Sequence, residues 1–141
     1  YSQYLNVMRK IIFTLLAIPF ALQAHTACLD GAYTHEFTQH ADEIVWKVVN
    51  HHGSYQLIRV ADNEIIALHA LSKQKRIEFW QRMQWVPESA KSAECAGDKT
   101  RQNVICELSE QARKKEPTLQ NMTFFHADPI SGVMKIMRVD E

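Results

Sequence analysis

The alternation of apolar and polar positions is clearest between residues 43 and 85. Ile44, Trp46 and Val48 alternate with Val45, Lys47 and Val49, a period of two built from β-branched and aromatic residues that pack well on a pleated surface. This predicts a strand over 43–49. Asn50-His51-His52-Gly53-Ser54 supplies residues that tolerate positive φ, so the chain is expected to reverse there and return as a second strand over 55–60. Asp62-Asn63 marks another reversal. The nearly unbroken apolar run over 64–71 predicts a third strand with both faces at least partly covered, the most central of the sheet.

Ser72 stands where a helix N-cap belongs, its hydroxyl able to accept from an orphan amide of the first turn. At 100° per residue, Ile77, Phe79, Trp80 and Met83 share one arc, opposite Lys75, Glu78 and Arg82, which predicts an amphipathic helix lying on a sheet. Glu78 and Arg82 are four apart in the order that favours a surface ion pair. Upstream, Tyr33, His35 and Phe37 alternate with Ala32, Thr34 and Glu36, predicting a strand over 31–38. Downstream, Trp85-Val86-Pro87 ends regular structure, and residues 88–103, rich in Ser, Ala, Gly and charge, are expected to form the longest loop. Val104–Leu108 reads as a short strand. Residues 109–116 read as a short helix stopped by Pro117, with Arg113-Lys114-Lys115 in the last turn, where cations favour the helix dipole. A closing hairpin is expected over 122–127 and 133–139 around Asp128-Pro129-Ile130-Ser131-Gly132. With short turns and no strand–helix–strand rhythm, the expected fold is α+β: a meander-like antiparallel sheet of about five to six strands, one main amphipathic helix packed on a face, and a second short helix.

The amino-terminal pattern is different. Met8-Arg9-Lys10 is followed by an apolar run from Ile11 to Leu22 and then by small residues, the anatomy of a secretory signal peptide. The run falls short of the roughly 20 residues a bilayer span needs, and Pro19 suits a processed leader. Residues 1–24 are therefore expected to be an upstream extension and cleaved leader, and residues 25–141 one exported domain, periplasmic or secreted. Ala27-Cys28 leaves a lesser alternative, an outer-membrane lipoprotein with lipid on Cys28, although His25 stands where a lipobox carries Leu. Membrane contact is expected only through the leader or that lipid. The chain has 16 basic and 16 acidic residues. Removing Arg9 and Lys10 leaves no basic excess to neutralise phosphates, which argues against nucleic acid as a partner.

Export permits disulfides, and Cys95 and Cys106 bracket a polar stretch that would otherwise be floppy. They are expected to form a bridge, a closure worth about 3 kcal/mol in the chain-entropy model. Cys28 is then lipidated, free, or an alternative partner for either. His25 beside Cys28 and the pair His51-His52 are the metal-ligand candidates, but they lack finger spacing, and adjacent residues on an extended chain point to opposite sides. No cofactor or metal is expected, and His35, His69 and His126 read as partly buried polar positions on strands. Ser72-Lys73-Gln74-Lys75 has the Ser-x-x-Lys spacing of serine β-lactamases, yet their Ser-Asp-Asn and Lys-Thr-Gly companions are missing and capping accounts for Ser72. Trp85 falls off the helix's apolar arc, so it either plugs the core or anchors an exposed patch. The expected function is a small exported binding protein rather than an enzyme, of the inhibitor or immunity type, that meets an envelope protein through Trp85, Asp98, Lys99 and Arg101. The alternative is a periplasmic carrier of a small ligand or metal.

Overall fold

A computed structural model describes residues 29–139. The expected leader, its cleavage site, His25 and Cys28 lie outside the described residues. Eight strands follow one another: β1 (Gly31–His35), β2 (Trp46–His51), β3 (Ser54–Arg59), β4 (Glu64–Ala70), β5 (Ala93–Gly97), β6 (Val104–Leu108), β7 (Phe124–Asp128) and β8 (Gly132–Val139). Between β4 and β5 come helices α1 (Lys73–Arg82) and α2 (Pro87–Ala90), and between β6 and β7 come α3 (Glu110–Lys115) and a 3₁₀ turn (Pro117–Leu119). Each strand pairs antiparallel with the next, and β8 pairs with β1 through Ala32↔Val139 to His35↔Ile136.

The sheet is therefore a closed eight-stranded barrel, which corrects the expected open α+β sheet of about five to six strands. Two features separate them. The stretch expected to be the longest loop holds α2 and all of β5, and the two strands that would be edges of an open sheet hydrogen-bond to each other. Closure removes the row of unpaired backbone groups that an edge exposes. β4 is not doubly covered either: Leu68 faces inward and is fully buried, whereas Ile65 on the outer wall is 58% exposed.

Alternation along the strands builds two cores. Tyr33, Trp46, Val48, Leu57, Leu68, Ile105, Phe124 and Ile136 face inward and fill the barrel. On the outer wall, Ala93, Cys95, Val104, Cys106, Phe125 and Ala127 of β5–β7 carry the helical layer, which contributes Phe79, Trp80, Trp85, Ala112 and Leu119. Phe79, Trp80, Trp85 and Phe125 form an aromatic cluster with centroids 5.4–6.3 Å apart, largely edge to face; burying each contributes about 2–3 kcal/mol. Trp85 is thus a core plug, 7% exposed. The Ser72 hydroxyl accepts from the Lys75 amide, as the sequence predicts, and Ser109 caps α3 in the same way. Arg76, read as neither face of α1, is buried and donates to the carbonyls of Leu71 (3.0 Å) and Ala90 (3.1 Å), tying β4, α1 and α2 together.

The Cys95–Cys106 bridge forms. Its half-cystines lie directly opposite one another on β5 and β6, with Cα atoms 4.1 Å apart, beneath the helical layer. It is a cross-strand rung rather than the staple of a long loop. Among the described residues no helix is long and apolar enough to cross a membrane.

Candidate functional site

The meander fixes which connections share an end. The β1–β2, β3–β4, β5–β6 and β7–β8 links lie at one end of the barrel, the turn end. Leu29, the β2–β3 hairpin and Val139 lie at the other. Four of the large apolar side chains that remain exposed belong to the turn end: Phe37 (73%), Val60, Ile65 and Ile130 (97%). The helix α1, about 15 Å long, runs along the outer wall so that Arg82 and Met83 reach this end.

There α1 meets two turns. Asp98 builds the first: its carbonyl accepts from the Arg101 amide at 3.0 Å, one carboxylate oxygen accepts from the Gln102 amide at 2.8 Å, and the other from the Asn103 side chain at 3.2 Å. Arg101 takes a positive φ of 55° to complete it. Asp128 builds the second, with Oδ1 accepting from the amides of Ile130 (2.8 Å) and Ser131 (2.6 Å) and Gly132 at φ 72°. Such side-chain-to-backbone turns are what Asp and Gly favour, and they hold the two lips in fixed positions.

Between the lips and α1 lies a groove of about 250 Å³ lined by Phe79, Met83, Ala127 and Val133 below, with Arg82, Arg101, Gln102 and Asp128 at its walls. Arg101 reaches across to Glu78 at 2.5 Å. That hydrogen bond holds the Glu78 carboxyl below its usual range. The expected Glu78–Arg82 pair is not made: the Arg82 guanidinium lies 5.3 Å from the Phe79 ring and donates to the Arg101 carbonyl at 2.7 Å. Beneath Asp128, His126 faces the barrel interior with its ring 4.7 Å from that of Trp46 and Nδ1 4.0 Å from Asp128 Oδ2. Burial pushes its pKa down to about 4, with the Asp128 charge opposing.

Of the residues expected to bind a partner, the structure brings only Arg101 into this groove. Asp98 is turned into its own loop, Lys99 is exposed at the tip, and Trp85 is in the core. Sequence reading missed Phe79, Met83 and Val133 as a groove floor, because the helix arc that marks the first two as apolar does not say that its end stays open, and Val133 reaches it from β8. The other metal candidates, His51 and His52, are exposed in the β2–β3 hairpin, and among the described residues no three His, Cys, Asp or Glu side chains group around a metal-sized site. A second cleft, of about 390 Å³ beside α3, is lined by Glu110, Arg113, Lys114, Pro117 and Gln120. Compared with known proteins, the chain finds no match among family models, curated proteins or solved structures.

Proposed function

We propose that the chain is a small exported binding protein that docks a polypeptide partner of the cell envelope at its turn end, as an inhibitor or immunity-type protein does. The observation that carries this is the apolar groove between α1 and the Asp98 and Asp128 turns. At about 250 Å³ it is smaller than the roughly 300–1,000 Å³ of small-molecule sites, and it suits one apolar side chain of a partner. Exposed Ile130, in the Asp128 turn that forms one lip, extends the apolar contact beyond the groove, as the anchors of a protein interface do. The inward side chains of the barrel pack as one buried cluster, which favours docking at the rim over an enclosed small ligand.

Immobilised mature protein exposed to envelope extract is expected to retain one stoichiometric partner. Val133→Asp, which puts a charge on the groove floor, should abolish retention, while Lys115→Ala on the helical side should leave it intact. Retention that ignores Val133→Asp, with the fold verified by near-ultraviolet circular dichroism, refutes the assignment of the groove.

A further inference from the structure

The charges around the groove are not equivalent. Arg101 is satisfied by Glu78 at 2.5 Å. Asp128 spends Oδ1 on the amides of its own turn, and Oδ2 faces His126. Arg82 is exposed, and among the described residues no carboxylate stands within ion-pair distance of it. Its guanidinium is nevertheless held in place, with the Phe79 ring beneath it at 5.3 Å and one N–H on the Arg101 carbonyl at 2.7 Å. A guanidinium has five N–H donors in a planar fork, so this anchoring leaves donors for a carboxylate, and the bidentate form of that contact is both strong and directional. Fixing the fork in advance removes much of the ordering cost that an exposed arginine otherwise faces on binding.

We infer that the partner segment taken by this groove carries an aspartate or glutamate close to its apolar anchor, and that Arg82 receives that carboxylate. The inference rests on the polypeptide-docking reading of the same groove. In an extended segment, residues two apart project to the same side about 7 Å from each other, which matches an apolar side chain on the Phe79–Val133 floor and a carboxylate at the wall one aromatic ring away.

A displayed library of random decapeptides, panned on the mature disulfide-bonded protein, tests this. The wild type should enrich Leu, Ile, Met or Phe with Asp or Glu two positions away. Arg82→Gln should keep the apolar preference and lose the acidic one, and should weaken a selected peptide about tenfold, the cost of losing a charge-assisted contact. Changing that peptide's own acid to the amide should cost the wild type the same factor and cost Arg82→Gln almost nothing. Arg82→Lys, which keeps the charge without the fork, should fall between. Apolar enrichment with no acidic partner overturns the inference and leaves the docking reading standing, as does an acidic preference that survives Arg82→Gln. Absence of any enrichment, or uptake of laurate in native mass spectrometry with no peptide selected, removes both.

Discussion

His126 is a buried side chain whose ionisation bears on the fold. It is 2% exposed, edge-on to Trp46, and its Nε2 is buried without a hydrogen-bond partner among the described residues. Burial lowers its pKa from 6.5 to about 4, so the unfolded chain takes up a proton before the folded one does. Stability is therefore full above about pH 6.5, declines as pH falls from there toward 4, and levels off below, for a total of about 3 kcal/mol. Denaturant midpoints measured between pH 7 and 4.5 should show this slope, and His126→Gln should flatten it; an equal slope in both proteins assigns the effect to other groups. The position could be recognised in the sequence as a strand histidine, but not its burial, because the Trp46 ring that covers it comes from 80 residues earlier in the chain. The same holds for Arg101, whose Glu78 partner has no local signature, whereas Ser72 was readable because a cap is made with an amide three residues away.

At the scale of elements, β5 shows where pattern reading loses its grip. Ala93-Glu94-Cys95-Ala96-Gly97 contains no β-branched or aromatic residue, and strand propensity is weak for every one of its members. It is a strand because five pairs with β6 and two with β4 hold it, and because Ala93 and Cys95 on its outer face are buried under the helical layer. The disulfide adds to that hairpin. Cys95 and Cys106 are 3% and 0% exposed, so dithiothreitol should leave the bridge intact in native buffer and cleave it once denaturant opens the wall. Protein reduced in this way and refolded, or the double variant Cys95→Ala/Cys106→Ala, should retain its circular dichroism spectrum and lose about 3 kcal/mol in urea titration. Loss of all secondary structure on reduction is the outcome that contradicts a rung between strands already paired.

For the whole molecule, the decisive contact is the seam between β1 and β8. It joins residues 32–35 to residues 136–139, and no window of sequence shorter than the domain contains both sides. Most strands were visible as periodic stretches, yet neither their full number nor their closure was, since a strand with one wet face looks the same in an open sheet and in a barrel. Met137, opposite Thr34 on the seam, tells the two apart. Met137→Pro should cost about 3 kcal/mol or more in thermal or urea denaturation, because it removes a rung that both strands use. Were β8 an edge, its solvent-facing backbone would tolerate proline and the loss would be small.

The seam also sets how the domain can be held. Because β1 begins and β8 ends at the same rim, polypeptide upstream of Leu29 and downstream of Val139 departs from adjacent points, on the side away from Ile130 and Phe37. A tether at either terminus, whether a lipid, a linker or a surface, would orient the barrel like a stalked cup, with its four turns directed outward and open to approach.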